Sequence, residues 1–281
     1  MDLPQTPSMS ASTLHRLLEQ SEQRVVVLVT SMKHPISKAP EPEPSMYIPH
    51  AHWFDFEKVF CKHDGFPHTM PDLDSFSIEA SKLGLKHNDI IVVYDNIGIY
   101  SSARVWGMLK AMGHRAVYVL DGGLPAWLKA GYETVQATAA SLPASLYEAQ
   151  STSFFVNTHA VFKALTDEKC KIVDARSEGR FLGKEPEPRK GLRSGHMPGA
   201  INIPFQHVLT SNQTLKDKSA LKALFQDNGM VPDDSLIFTC GSGVTACILA
   251  LAAEEAGFSS IHVYDGSWSQ WGADDSLPIE T

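Results

Sequence analysis

The sequence predicts an α/β protein made of two copies of one unit, each a parallel sheet with helices on both faces. Short apolar runs typical of buried strands alternate along the chain with segments of helical periodicity, as in parallel sheets. The order of these elements and the spacing of Gly, Asp and Trp residues recur in the second half. A chain of 281 residues is long enough for two domains of ordinary size.

The first half of the sequence is predicted to consist of alternating helices and strands. Its predicted elements are, in order, a helix at 13–20, a strand at 25–29, a helix at 73–83, a strand at 90–94, a helix at 102–112 and a strand at 116–120. The runs Val25–Val29 and Ile90–Tyr94 are apolar without alternation, which indicates strands buried on both faces. The segment Asp121-Gly122-Gly123 follows the last of these strands.

The second half repeats the first at matching spacings. Three residue types recur eight and six residues apart: Gly113, Asp121 and Trp127 in the first half, and Gly257, Asp265 and Trp271 in the second. Asp95 and Cys240 occupy the same position in their copies, since each follows a glycine by eleven residues. A carboxylate cannot perform thiolate chemistry, so we expect at most one active site, in the second copy.

The domain boundaries follow from the repeat and from a change in composition. Residues 133–152 are rich in Ala, Ser and Thr and lose clear periodicity, which is typical of a surface linker. We therefore expect a non-catalytic first domain over 1–135, a linker over 136–152 and a catalytic second domain over 153–281.

The net charge and the cysteine spacing exclude several classes of function. The formal net charge of -8 argues against nucleic-acid binding and against attraction to anionic membranes. The four cysteines lack the close spacings of a disulfide framework or a zinc site, so no metal and no cofactor is predicted. The N-terminus shows no targeting pattern and no stretch is apolar enough to span a membrane, so we expect a cytoplasmic protein.

A cysteine at the end of a predicted strand carries the chemistry. Cys240 follows the apolar run 236–238 and precedes a helical pattern that begins at Ala246. The loop between them consists of Gly241, Ser242, Gly243, Val244 and Thr245. Its glycines let backbone N–H groups converge, and the helix adds its positive end, so the loop favours a thiolate and would hold an anion. The alternative is a small buried hydrophobic residue at a strand end.

Several motifs of the second copy carry a family resemblance. They are the loop at Cys240, Asp174-Ala175-Arg176, Gly179-Arg180-Phe181, the run Glu185-Pro186-Glu187-Pro188-Arg189, and Gly195-His196-Met197-Pro198-Gly199-Ala200. With the tandem copies, these motifs resemble the two-domain sulfurtransferases of the rhodanese superfamily, and within it those that act on 3-mercaptopyruvate. The resemblance covers nearly the whole chain and implies tandem rhodanese-like domains.

The resemblance implies a reaction in two steps. Cys240 attacks the sulfur of 3-mercaptopyruvate, pyruvate leaves, and a cysteine persulfide is held in the loop. A thiol acceptor, either a thioredoxin-like protein or a small thiol, or cyanide in an assay, then takes the outer sulfur. Arg180 and Arg189 match the family's substrate-binding arginines, whose planar guanidinium groups bind carboxylates bidentately. The alternative is a pair of solvated surface charges, and without the resemblance this would be the preferred interpretation of Arg189.

The resemblance also implies a relay of Ser242, His68 and Glu57. Ser242 would donate to the substrate carbonyl oxygen or pass a proton, with His68 as its partner and Glu57 orienting the imidazole. On residue type alone, His68 is a loop histidine and Glu57 a surface charge. Thr245 is expected to cap the following helix, and the alternative is a hydrogen bond to the cysteine sulfur. Asp174 and Arg176 are expected to support the loop by internal hydrogen bonds.

The residues at and after Cys240 also bear on three alternative functions. Thiosulfate sulfurtransferases of this fold usually carry basic residues just after the cysteine, whereas this chain has Gly241 and Ser242, which favours a monoanionic keto acid. A thiosulfate sulfurtransferase is therefore the alternative, followed by a non-catalytic sulfur-relay or binding module. Cysteine phosphatases need an arginine six residues after the cysteine, and Ala246 occupies that position.

Overall fold

A computed structural model of the chain describes residues 3–32, 46–62, 65–139 and 142–281. The chain divides into two compact units, each formed mainly by one half of the sequence. The first unit is Met1–Lys62, Met70–Thr152 and Ser211–Leu215, and the second is His63–Thr69, Ser153–Thr210 and Lys216–Thr281. Each unit therefore includes a short segment from the other half of the sequence. The linker predicted over 136–152 includes residues 140 and 141, which lie outside the described residues.

In its described residues, the first unit contains a sheet of five parallel strands with helices in the connections between them. Its elements are β1 (Ser8–Met9), α1 (Ala11–Gln20), β2 (Val25–Val29), β3 (Ala51–Trp53), α2 (Leu73–Lys82), β4 (Ile90–Tyr94), α3 (Ser101–Ala111), β5 (Val117–Leu120) and α4 (Gly123–Lys129). The strand order is β1-β5-β4-β2-β3, and every pairing is parallel. The two continuous apolar runs of the sequence therefore form the neighbouring central strands β2 and β4.

Local sequence determines where these helices begin. The side chain of Ser10 accepts a hydrogen bond from Thr13 N at the start of α1, and Asp72 accepts one from Ser75 N at the start of α2. Such caps satisfy backbone donors that have no partner within the helix. Helix α1 then packs Leu14 and other apolar side chains against the central strands, in one hydrophobic core.

The described part of the second unit has the same architecture. Its elements are β6 (Phe155–Val156), α5 (Thr158–Ala164), β7 (Cys170–Asp174), α6 (Glu178–Phe181), β8 (Ile201–Asn202), α7 (Lys218–Asp227), β9 (Ser235–Thr239), α8 (Thr245–Ala256), β10 (Ile261–Tyr264) and α9 (Ser267–Trp271). The strand order β6-β10-β9-β7-β8 is that of the first unit, and again every pairing is parallel. A short 3-10 turn at Phe205–Val208 precedes α7.

Helix α8 is the central helix of the second unit. Nine of its residues are buried, from Ala246 to Ala256, so the helix is apolar on nearly all sides. It ends at Gly257, whose φ of 100° lies in the left-handed region that glycine adopts without a steric penalty. Because β9 leads into the loop before α8, the fold places Cys240 at the carboxyl end of a central parallel strand, where open α/β sheets bind ligands.

The two repeats share backbone detail as well as topology. His50 and Gly199 occupy matching positions before β3 and β8, and their φ angles are 64° and 70°. His68 and Gln213, each five residues before a helix, have φ angles of 63° and 57°. These are uncommon values for residues with a side chain. The equivalence of His68 and Gln213 was not visible in the sequence, because their side chains differ.

The fold predicted from the sequence is confirmed. Both units are parallel α/β structures, and strands β2 and β4 have the predicted ends. Helix α3 begins and ends one residue before the predicted bounds, and the predicted strand 116–120 starts one residue later. None of the helices in the described residues is long and apolar enough to cross a membrane.

Candidate active site

Cys240 lies directly after β9 with only 2% of its surface exposed. Its backbone N–H donates to Ser267 Oγ at 3.3 Å, and its carbonyl accepts from Trp268 N at 2.9 Å. Ser267 Oγ in turn donates to the carbonyl of Tyr264 at the end of β10. The cysteine backbone is thus held from both sides by the segment that begins α9.

The same segment holds the next residue of the loop. The carbonyl of Gly241 accepts hydrogen bonds from Ser269 N at 2.9 Å and from Ser269 Oγ at 2.6 Å. Sequence reasoning missed Ser267 and Ser269 as supports of the loop. The recurring spacing that ends at Trp271 marked this segment as part of the repeat, but spacing alone does not show which neighbour it contacts.

Ser242 shares a hydrogen bond with His68. The distance from Ser242 Oγ to His68 Nδ1 is 3.0 Å, and Ser242 is 5% exposed. His68 lies in the segment His63–Thr69, which belongs to the second unit although it comes from the first half of the sequence. Two members of the predicted relay are therefore within hydrogen-bonding distance, as proton transfer between them requires.

Glu57, the third predicted member, belongs to the first unit. It lies in the turn after β3, where its backbone N–H donates to Asp55 Oδ1 at 3.1 Å and its carbonyl accepts from the thiol of Cys61 at 2.9 Å. Its side chain is partly buried. Its role in orienting His68 stays a prediction.

Arg180 and Arg189 converge on the loop beside Cys240. A Cβ atom placed on Gly241 would lie 3.1 Å from Arg180 Nη2 and 3.7 Å from Arg189 Nη1. The two arginines lie on α6 and on the irregular segment that follows it, nine residues apart in sequence. Gly241 therefore leaves room for two guanidinium groups next to the cysteine, an arrangement suited to holding a carboxylate.

Buried ion pairs connect Arg176 to Glu187, which lies in the segment between Arg180 and Arg189. Arg176 is fully buried, and its Nη2 lies 2.6 Å from Asp174 Oδ2 while its Nη1 donates to Glu187 Oε1 at 2.9 Å. Its guanidinium carbon is 4.2 Å from the centre of the Trp268 ring. Burial opposes the charge, but Asp174 and Glu187 outweigh it and raise the pKa of Arg176. Asp174 and Arg176 thus form a buried ion pair that stacks on Trp268, and their support of the Cys240 loop stays a prediction.

His196 supports the helix that carries Arg180. Its ring stacks on Phe181 with centroids 3.7 Å apart, and its Nδ1 is 2.8 Å from the carbonyl oxygen of Phe181. Because Phe181 is adjacent to Arg180, the motif that contains His196 fixes the end of α6 near the loop.

The expectation that Thr245 caps the next helix is wrong. Helix α8 begins at Thr245 itself, Val244 occupies the N-cap position, and within this described segment no side chain makes a cap hydrogen bond. The reason is that the turn at Gly243, with a φ of 77°, brings the chain into the helix one residue earlier than a capping Thr245 requires. Cys247 is buried in α8, and its thiol donates to the carbonyl of Gly243 at 3.2 Å.

The first unit has a carboxylate where the second has its cysteine. Asp95 Oδ1 accepts hydrogen bonds from the N–H groups of Ile97 and Gly98, and Oδ2 accepts from Tyr100 N, Ser102 N and Ser102 Oγ. Burial raises the pKa of the Asp95 carboxyl, whereas these donors favour its charged form. The equivalent loop of the first repeat is thus an anion cradle filled by its own side chain.

Metal binding finds no support in the part of the chain that the structure describes. No group of three or more His, Cys, Asp or Glu side chains in those residues is placed to ligate a metal ion.

Comparison with known proteins gives consistent matches. The rhodanese-like domain model matches residues 42–130 and 158–274. The mitochondrial thiosulfate/3-mercaptopyruvate sulfurtransferase 1 of Arabidopsis thaliana is 38% identical over 84% of this chain and 68% of its own length. The 3-mercaptopyruvate sulfurtransferase of Mus musculus is 39% identical over 80% of this chain and 76% of its own.

Two further similar proteins are a thiosulfate sulfurtransferase and a protein of known structure. The thiosulfate sulfurtransferase of Cricetulus griseus is also 39% identical, over 80% of this chain and 77% of its own. The crystal structure of SseA from Escherichia coli, described as a 3-mercaptopyruvate sulfotransferase, has a TM-score of 0.81 at 28% identity. That match covers 94% of this chain and 99% of SseA.

The rhodanese-like domain model matches both repeats, each of which has the same parallel strand order, so the chain belongs to the rhodanese family. The relatives are named for two different sulfur donors, but all are sulfurtransferases. The protein is a sulfurtransferase of the rhodanese family, as the sequence motifs predicted.

Proposed function

We propose that the protein transfers sulfur from 3-mercaptopyruvate to a thiol acceptor through a persulfide on Cys240. The observation that carries this proposal is the convergence of Arg180 and Arg189 on Gly241, next to the cysteine. An α-keto acid presents a carboxylate and a ketone on adjacent carbons, and two neighbouring guanidinium groups match both. The absence of basic side chains at positions 241 and 242 leaves recognition to these two arginines.

In the first step, the Cys240 thiolate attacks the sulfur atom of 3-mercaptopyruvate. A sulfur–sulfur bond forms, and the bond between that sulfur and C3 of the donor breaks. The electron pair goes to the enolate of pyruvate, which takes up the proton of the donor thiol at C3. The products are pyruvate and a Cys240 persulfide, so one anionic cysteine is replaced by one anionic persulfide.

Ser242 and His68 supply the proton path in this proposal. The ketone oxygen of the donor gains negative charge as the bond between sulfur and C3 breaks. The Ser242 hydroxyl stabilises this oxygen by donating a hydrogen bond to it. His68, at 3.0 Å from Ser242 Oγ, exchanges a proton with that hydroxyl. Glu57 is proposed to orient His68 and to stabilise its protonated form.

In the second step, an acceptor thiolate attacks the outer sulfur of the persulfide. The bond between the two sulfurs on the enzyme breaks, the acceptor leaves as a persulfide, and Cys240 returns as a thiolate. We propose a thioredoxin-like protein or a small thiol as the acceptor, with cyanide as an assay substitute. This sequence of steps is ping-pong in form.

Thiosulfate is the second candidate donor, because relatives of equal similarity carry that name. The two donors are separated by measuring kcat/KM for each with the purified protein and a saturating thiol acceptor. The proposal expects the higher value for 3-mercaptopyruvate. A higher value for thiosulfate would reject the donor assignment while leaving the sulfurtransferase activity intact.

We also propose a cytoplasmic location, which rests on the sequence prediction. The Arabidopsis thaliana relative is named as mitochondrial, so location differs from the proposal in at least one relative. Fractionation of cells that express the tagged full-length chain tests it, and recovery of the protein in mitochondria would contradict it.

A further inference from the structure

Glu187 is a buried carboxylate shared by two arginines. It accepts from Arg176 Nη1 at 2.9 Å, and from Arg180 Nε at 3.1 Å and Nη2 at 2.6 Å. Its side chain is only 2% exposed. We propose that Glu187 determines which sulfur donor the site accepts, by positioning Arg180 and by limiting the positive charge that faces the donor. The inference rests on the proposed function, in which Arg180 binds the donor anion.

The positioning role follows from which nitrogens Glu187 occupies. A guanidinium group has two edges that can each bind a carboxylate bidentately. Glu187 takes the edge formed by Nε and Nη2. The edge formed by Nη1 and Nη2 then faces the loop, at 3.9 Å and 3.1 Å from the position of a Cβ on Gly241. Glu187 therefore turns the second edge of Arg180 toward Cys240.

The charge-limiting role follows from the charges of the four side chains that are joined by ion pairs. Arg176 and Arg180 contribute two positive charges, and Asp174 and Glu187 contribute two negative charges, so this set is neutral. Glu187 thereby offsets the positive charge that Arg180 presents to the donor. Thiosulfate carries two negative charges and 3-mercaptopyruvate carries one, so this offset weakens the binding of thiosulfate more. Charges on exposed neighbours count for less because solvent and salt screen them.

The test replaces Glu187 with glutamine, which keeps the length and one acceptor oxygen but removes the negative charge. The set of four side chains then carries one positive charge, and a dianion gains more from this than a monoanion does. We expect the ratio of kcat/KM for thiosulfate to that for 3-mercaptopyruvate to rise on the order of tenfold in Glu187→Gln. A residue that only stabilises the fold would lower both values alike.

Glu185→Gln is the matched control, since it removes the same charge from the same segment. Glu185 is exposed, and its carboxylate accepts from Ser177 Oγ at 3.0 Å. We expect its donor ratio to equal that of the wild type. Glu187→Asp keeps the charge with a shorter side chain; its expected effect is a higher KM for 3-mercaptopyruvate with an unchanged donor ratio.

The outcomes separate this inference from the proposed function. A wild-type preference for thiosulfate rejects the proposed donor, whereas the inference is judged by how the ratio changes from wild type to variant. The inference is overturned if Glu187→Gln and Glu185→Gln give the same ratio, or if Glu187→Asp shifts the ratio toward thiosulfate. Should Glu187→Gln fail to fold, Glu187→Asp decides: a higher KM with a retained ratio supports the inference, and an unchanged KM or a shifted ratio overturns it.

Discussion

His68 Nδ1 lies 3.0 Å from Ser242 Oγ, and the His68 backbone has a φ of 63°. A left-handed backbone at a residue with a side chain costs on the order of 1 kcal/mol. Gln213 has a similar φ of 57° at the equivalent position of the other repeat. The shared geometry shows that this backbone conformation is a property of the repeat, whereas the imidazole at this position occurs in the first repeat alone.

If Ser242 takes part in proton transfer to the pyruvate enolate, replacing Ser242 should affect turnover of 3-mercaptopyruvate and of thiosulfate differently. We expect Ser242→Ala to lower kcat for 3-mercaptopyruvate on the order of 100-fold, a typical contribution of general acid–base catalysis. Turnover of thiosulfate should change little, because sulfite leaves without needing a proton on carbon. Steady-state kinetics with both donors measures the difference.

His68→Asn should show the same difference between donors, with His207→Asn as the control, since His207 is exposed on the turn before α7. Equal losses with both donors would show that Ser242 and His68 only shape the loop.

Gly241 is predicted to be essential for binding rather than for chemistry. In Gly241→Ala, the new Cβ would lie 3.1 Å from Arg180 Nη2, which forces the guanidinium away from the loop. We expect KM for 3-mercaptopyruvate to rise on the order of tenfold, because the loss of a well-made charged hydrogen bond is of that size. The value of kcat should change less. A large loss of kcat with an unchanged KM would contradict this role.

Asp174 should contribute strongly to stability through Arg176. Asp174→Ala leaves the fully buried Arg176 without its closest carboxylate, at a cost of about 3 kcal/mol in the free energy of unfolding. Denaturant unfolding of the full chain measures this change. Glu168→Ala, at an exposed position, is the control and should change stability little. Similar midpoints for the two variants would contradict the importance of the buried pair.

His114 should make the first unit less stable in mild acid. Its Nε2 is 3.0 Å from the carbonyl oxygen of Asp89, its Nδ1 is 3.4 Å from Tyr147 Oη, and burial lowers its pKa. The unfolded chain therefore binds the proton at a higher pH than the folded chain does. The stability that neutral His114 contributes is fully present above the ordinary pKa of 6.5. It is lost as the pH falls from that value toward the lower pKa of the folded state.

The measurement is denaturant unfolding at about pH 7.5 and about pH 5.5, on either side of the ordinary histidine pKa. We expect the wild type to lose stability at the lower pH and His114→Gln to lose less of it. His207→Gln serves as the control, because an exposed histidine should not alter the difference. An unchanged difference in His114→Gln would show that another group causes the acid sensitivity.

Much of the fold could be predicted because its signals are local. The runs Val25–Val29 and Ile90–Tyr94 are continuous apolar segments, and both form strands with those ends. The family and the sulfurtransferase activity also followed from short motifs around Cys240. The prediction for Thr245 is wrong because threonine is a common capping residue at helix starts, whereas here Val244 occupies the N-cap position and the helix begins at Thr245.

The supporting contacts could not be predicted, because they join residues that are far apart in sequence. Ser267 and Ser269 hold the Cys240 loop through ordinary serine hydrogen bonds, and nothing in their residue type distinguishes them from surface serines. Glu187 stands between two prolines in a charged segment that resembles solvent-exposed chain. Its burial between two arginines depends on the tertiary fold and becomes visible only there.

The proposed function requires that Cys240 carry the sulfur taken from 3-mercaptopyruvate. The most direct test incubates the protein with one equivalent of this donor, without acceptor, and locates the added mass by peptide mass spectrometry. We predict one extra sulfur atom on the Cys240 peptide and one equivalent of pyruvate, and neither of them in Cys240→Ser. Sulfur found on Cys247, or pyruvate released without any sulfur on Cys240, would contradict it.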